Sequence, residues 1–184
     1  MQGAQQKADG LLLSRRAVQS MGRRKPGPTY REYRFRKRIH APLPFVFRWC
    51  TDYREDDPRL TNSLYHYRAR IVLREPTRIV RIITVAGKDR NRCTDVEIIS
   101  LRPPNRWRLL KFSATDDETG SYRLTRRSRG VTALEMHFRK KWKIARLPNQ
   151  ARYRELFNRV WDRYVTVMER EYRQSSKRSD HKIF

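Results

Sequence analysis

Acidic residues are scarce in this chain: 19 Asp and Glu stand against 44 Lys and Arg, for a net charge of +25. Cysteine is almost absent. Cys50 and Cys93 lie far apart in apolar surroundings, give no sign of a disulfide framework or a zinc site, and read as buried thiols in a reducing, cytoplasmic compartment. No apolar run approaches the roughly 18 residues that cross a bilayer; the longest, such as IVRIITVA, are strand-like. There is no Gly-rich phosphate loop and no Ser-centred elbow. The four histidines, His40, His66, His137 and His181, show no metal-ligand spacing. No catalytic residue, metal or cofactor is therefore assigned, and the expectation is a protein that is not an enzyme.

What is present is positive charge, far beyond what solubility requires. It implies an anionic partner: RNA, a ribosome or an acidic membrane surface. A heat-adapted surface would raise Glu alongside Arg in ion-pair networks, and here Glu does not keep pace. Residues 1–28 hold six bases and one acid. They read as a basic flexible arm, with an organellar presequence as the alternative. Residues 174–184 read as a polar, frayed tail. The domain of residues 29–173 keeps 35 bases and 17 acids, a net +18, so the charge belongs mostly to the fold.

From Tyr30 the chain alternates, with Tyr33, Phe35 and Ile39 on one face and Arg34, Arg36, Arg38 and His40 on the other: a half-buried strand. Pro44 suits the first turn of a short helix, PFVFRWC. Four acids, Asp52, Glu55, Asp56 and Asp57, then fall within six residues. Thr51 or Asp52 capping a second short helix, with Glu55 and Asp56 in its first turn, accounts for them. Strands follow over 65–74, 78–86, 92–101, 106–114, 122–127 and 131–143, with Asp116 to Gly120 as a turn. Turn signals recur about every ten residues, as in an antiparallel meander. After Pro148-Asn149 the apolar period becomes helical from Tyr153 to Met168, giving one long helix to about Arg173. The fold class is α+β: a seven-stranded antiparallel sheet with one long helix to cover a face.

The Ile39-His40-Ala41-Pro42 block, the aromatic helix carrying Val46-Phe47 and Trp49, and the following Thr51-Asp52-Tyr53 resemble the START-like superfamily, also called SRPBCC or birch-pollen-allergen-like. The resemblance covers about Tyr30 to Arg173. It implies a helix-grip fold, in which the sheet curls around the last helix and leaves an apolar cavity. The family includes lipid carriers, quinone chaperones, polyketide cyclases and aromatases, and proteins acting on ribosomes.

Cavity-lining candidates are Tyr67, Ile71, Val96, Trp107, Leu109, Tyr122, Leu134, Met136, Phe157, Trp161 and Tyr164, for a lipid, quinone or polyketide-like hydrophobic ligand. Asp95 and Glu97 alternate with Val96 and Ile98. They pair with outward arginines in one register and become acid/base candidates inside the cavity in the other. Outward positions collect bases. Arg34, Arg36, Arg68, Arg70, Arg106, Arg108, Arg139 and Lys141 are expected to merge into one basic face that seeks phosphate. The expected function is hydrophobic-ligand binding combined with docking on the anionic partner. The alternatives are an RNA- or ribosome-associated protein and a cyclase- or aromatase-like enzyme.

Overall fold

A computed structural model describes residues 29–55, 67–86, 92–144 and 147–180. The N-terminal arm, Asp56, Asp57 and His66 lie outside the described residues. Seven strands form one antiparallel sheet: β1 (Thr29–Ile39), β2 (Tyr67–Arg74), β3 (Arg78–Ala86), β4 (Arg92–Arg102), β5 (Arg106–Phe112), β6 (Asp116–Ser128) and β7 (Val131–Trp142). Their order across the sheet is β1-β7-β6-β5-β4-β3-β2. Helix α1 (Leu43–Thr51) follows β1, and helix α2 (Gln150–Asp180) closes the chain.

The inner face buries Tyr33, Phe35 and Ile39 of β1, Ile99 of β4, Trp107 and Leu109 of β5, Leu124 of β6, and Leu134, Met136 and Phe138 of β7. Against them pack Phe157, Trp161, Val165 and the fully buried Met168 of α2. These recur at steps of three and four residues, the spacing that keeps side chains on one helical face. Three acids of α2 anchor the helix from its flanks. Asp162 Oδ1 accepts from Lys37 Nζ at 2.7 Å, Glu169 Oε1 from the His40 backbone N–H at 2.7 Å, and Glu171 Oε2 from Trp49 Nε1 at 2.8 Å.

Asn149 caps α2 as its sequence position suggests: Oδ1 accepts from the Arg152 N–H at 3.1 Å. The helix then runs past Arg173 to Asp180. No Gly or Pro intervenes in that stretch, and the Ser175 and Ser176 hydroxyls bond back to the Tyr172 carbonyl.

Two local expectations are corrected. Thr51 ends α1 rather than starting a second helix: its hydroxyl donates to the Phe47 carbonyl at 2.7 Å, and Asp52 is the C-cap. Tyr53 then takes a left-handed conformation, φ 48°, which breaks the helical path. Asp116 to Gly120 is strand, not turn, because Asp116 and Glu118 find buried cationic partners across the sheet. Cys50 and Cys93 are half-buried rather than buried, and neither is in a disulfide. Among the described residues no helix is long and apolar enough to cross a membrane.

Candidate anion-binding surface

Strand register settles which side chains share a face. On the inner face one cross-strand row runs Arg31, Lys140, Glu118, Lys111, Glu97, Arg81 and Ile71. Six consecutive positions in this row are charged, most of them shielded from water. Lys140 Nζ lies 2.8 Å from Asp116 Oδ2 and 2.6 Å from Glu118 Oε2. Lys111 Nζ lies 3.1 Å from Asp116 and 3.9 Å from Asp95. Arg81 Nε bonds Glu97 Oε2 at 2.6 Å, and the guanidinium sits over the Tyr53 ring at 4.6 Å. Burial pushes the Asp116 carboxyl up, but Lys111 and Lys140 outweigh it and bring it down to about 2. Burial likewise disfavours the Lys140 ammonium, and Glu118 with Asp116 outweighs it, holding the group above the ordinary lysine range. Burial raises the Asp95 carboxyl, with Lys111 acting against the rise.

Asp95 and Glu97 thus take the inward register. Val96 is correspondingly displaced from the ligand-lining set. It pairs with Phe112 and Ile82 on the outer face, because Glu97 and Ile99 occupy the inward positions of β4. The other inward candidates are brought together. Trp107 stacks on Tyr122 at 4.7 Å, and Tyr122 meets Phe138 edge-on at 5.4 Å and Trp161 at 6.3 Å. Phe157 stacks on Phe35 at 4.2 Å. Tyr164 lies between Trp161 and Trp49. Leu109, Leu134 and Met136 are buried core, and Ile71 packs half-buried against it. The Tyr67 side chain lies outside the described residues.

The outer face is zoned. One row reads Arg34, His137, Ser121, Arg108, Ser100 and Arg78. The next outward row reads Arg36, Glu135, Arg123, Arg106 and Arg102. Short side chains leave hollows between the long ones. A concavity of about 500 Å³ lies over Ser121, lined by Arg34, Arg102, Arg106, Arg108 and Arg123 among others. A second hollow lies at Ala133, lined by Arg36, Arg38 and Arg127.

The expected single basic face is interrupted. Leu110 and Phe112 are 41% and 48% exposed, and they share their rows with Ile98 and Val80 and with Val96 and Ile82. This apolar zone separates the arginine rows from Arg68 and Arg70 on β2. Arg139 and Lys141 lie on the near side of it, on β7, Arg139 stacked over the Tyr30 ring at 4.9 Å. Both the inward charged row and the outward apolar zone escape single-strand periodicity. Each becomes visible only when neighbouring strands are aligned.

The acids near the arginine rows are few. Glu135 is shared between Arg36 at 3.9 Å and Arg127 at 4.0 Å, and Glu32 bonds His137 at 3.2 Å. Among the described residues, no carboxylate stands within ion-pair distance of Arg34, Arg102, Arg106, Arg108 or Arg123. Guanidinium groups in this state are suited to bidentate bonds with phosphate oxygens. No group of three His, Cys, Asp or Glu among the described residues is placed to hold a metal.

No protein-family model matches the chain, and no curated protein matches it. Solved structures do. A protein from Thermus thermophilus superposes with a TM-score of 0.60 at 16% identity, covering 79% of this chain and 99% of that one. A START superfamily protein from Mycobacterium smegmatis gives 0.59 at 11% identity, over 78% and 97%. The Zhui aromatase/cyclase from Streptomyces sp. R1128 gives 0.58 at 14% identity, over 79% and 95%. With the strand order, α1 after β1 and α2 across the inner face, these likenesses establish that the chain has the START-like helix-grip fold.

Proposed function

We propose that this helix-grip protein docks, through the arginine-lined outer face of its sheet, on the phosphate backbone of RNA, free or within a ribosome. One observation carries the proposal: Arg34, Arg102, Arg106, Arg108 and Arg123 share one side of the sheet with no carboxylate partner among the described residues. Like charges on adjacent strands are destabilising, and an anionic partner removes that cost. Among the described residues nothing on this face resembles a recognition helix or a row of stacking aromatics, so the contact is with backbone rather than base edges. The test is fluorescence anisotropy of a labelled single-stranded RNA titrated with protein at several salt concentrations. Affinity is expected to fall steeply with salt, as counterion release requires. No binding at low salt, or binding indifferent to salt, overturns the proposal.

A second reading places a lipid, quinone or polyketide-like ligand between the sheet and α2. It is favoured by Arg81, Glu97 and Tyr53 lying inside the curl beside the Trp107–Tyr122 stack, and by the likeness to a START protein and an aromatase/cyclase. In that reading Asp95 is the acid–base candidate for cyclase-type chemistry, because Glu97 is already held by Arg81. Native mass spectrometry of protein purified from its source tests it: a bound hydrophobic small molecule supports it, and ligand-free protein counts against it.

A further inference from the structure

We infer that the arginine rows contain a discrete phosphate-binding cradle, floored by Ser121 and walled by Arg34, Arg102, Arg106, Arg108 and Arg123, which takes adjacent phosphates of an RNA backbone. The inference rests on the docking reading above and narrows it from a face to a site.

The geometry follows from register. Ser121 is the short member of a row whose neighbours are His137 and Arg108, with Arg34 beyond His137 and Ser100 beyond Arg108. Its sequence neighbours Gly120 and Tyr122 turn inward, and of the outward β6 residues one row away, Thr119 and Arg123, the arginine borders the space above it. The result is the concavity of about 500 Å³, large enough for a compact polyanion.

The charge balance points the same way. Five guanidiniums face one hollow, and among the described residues Glu135 is the one acid lining it. That carboxylate is drawn towards Arg36 and Arg127, outside the hollow. A single bound phosphate diester leaves most of this charge uncompensated, whereas two or three consecutive backbone phosphates neutralise about half of it. The Ser121 hydroxyl adds a donor at the floor, and planar guanidinium forks from four strands supply paired donors around it. The apolar zone over β3 to β5 bounds the cradle on one side and leaves Arg68 and Arg70 outside it, which provides an internal control.

The experiment measures single-stranded RNA affinity for the full chain, for Ser121→Glu, for the pair Arg108→Gln with Arg123→Gln, and for the control pair Arg68→Gln with Arg70→Gln. Circular dichroism checks the fold of each variant. Ser121→Glu places a carboxylate in the hollow, and should weaken binding about tenfold or more. The Arg108/Arg123 pair should do the same and lower the salt slope by about 2, one per lost phosphate contact. The control pair should change affinity less than about threefold, and pyrophosphate should compete for the cradle in the wild type.

Equal losses in the cradle and control pairs, or wild-type affinity in the cradle variants, overturn the cradle while leaving face-wide docking intact. Binding to anionic vesicles with none to RNA overturns both. If Ser121→Glu fails to fold, the exposed arginine pair still decides the question.

Discussion

Lys140 Nζ stands 2.6 Å from Glu118 Oε2 across the β6–β7 pair, with the side chains 5% and 9% exposed. The same ammonium bonds Asp116 at 2.8 Å and lies 5.2 Å from the ring centroids of both Trp142 and Tyr153. A lysine is thus held inside an aromatic wall by two carboxylates. It belongs to a charged row that crosses the inner face of the sheet.

Removing that ammonium leaves the buried Glu118 without its ion-pair partner and Asp116 with Lys111 alone, at 3.1 Å. Lys140→Met is therefore expected to destabilise the fold by about 3–5 kcal/mol, the cost of breaking a buried ion pair from one side. The double replacement Lys140→Met with Glu118→Leu should recover most of the loss, because Asp116 keeps Lys111 at 3.1 Å and no buried carboxylate is then left without a cation. Urea unfolding of the variants checks both. A single variant as stable as the wild type would show that the cluster is solvated.

The pH dependence follows from Asp116. Its folded carboxyl titrates at about 2, below the unfolded value of 3.8. It therefore contributes stability at pH above roughly 4, which is lost as pH falls towards 2. Asp95, raised by burial, acts in the opposite sense, so the bulk acid profile mixes the two. Comparison with Asp116→Asn isolates the first: the stability gap between wild type and variant should narrow steadily from pH 4 to pH 2. Lys140, held above 10.5, contributes stability that is present below that value and is lost only at still higher pH. A gap that stays constant through the acid range would show that Asp116 is not depressed.

A Cβ on Gly120 would stand 3.1 Å from Phe138 Cε1 and 3.2 Å from Tyr122 Cε2. Both rings belong to the inner stack and have little room to retreat, since Phe138 also meets Phe157 at 4.9 Å. Gly120→Val should cost about 1–3 kcal/mol through overpacking, read as a lowered thermal midpoint. An unchanged midpoint would mean that the rings give way freely.

How much of this was legible beforehand differs strand by strand. In β1 a single parity is apolar, so Tyr33, Phe35 and Ile39 announce the inner face. In α2 the period and the Asn149 cap are both local signals, and the element order carries the fold. β4 is different. Cys93, Ile99 and Leu101 are apolar on one parity, Val96 and Ile98 on the other, so its own sequence cannot choose. The choice is made by Arg81 on β3 and the outward apolar positions of β5, which are partners distant in sequence. Asp116 to Gly120 has turn composition, and becomes strand because Lys140 and Lys111 neutralise its acids.

The orientation of β4 is open to direct test. Ile99 is fully buried while Val96 is half-exposed beside Phe112. Ile99→Ala should cost about 2–4 kcal/mol, and Val96→Thr less than about 0.5 kcal/mol, as expected of a surface change. Comparable losses at the two positions would mean that β4 is covered on both faces.

Glu135 offers a prediction of opposite sign to the losses expected elsewhere on the outer face. It is the acid in the row Arg36, Glu135, Arg123, Arg106 and Arg102, and its contacts of 3.9 and 4.0 Å are exposed pairs. Such pairs contribute about 0–1 kcal/mol to stability. Glu135→Gln should leave the thermal midpoint nearly unchanged while freeing Arg36 and Arg127 and removing one negative charge from the proposed docking face. RNA affinity should then rise by about two- to fivefold at low salt, with the gain fading as salt screens the surface. A fall in affinity would mean that Glu135 orders the arginines for binding rather than competing with the phosphates.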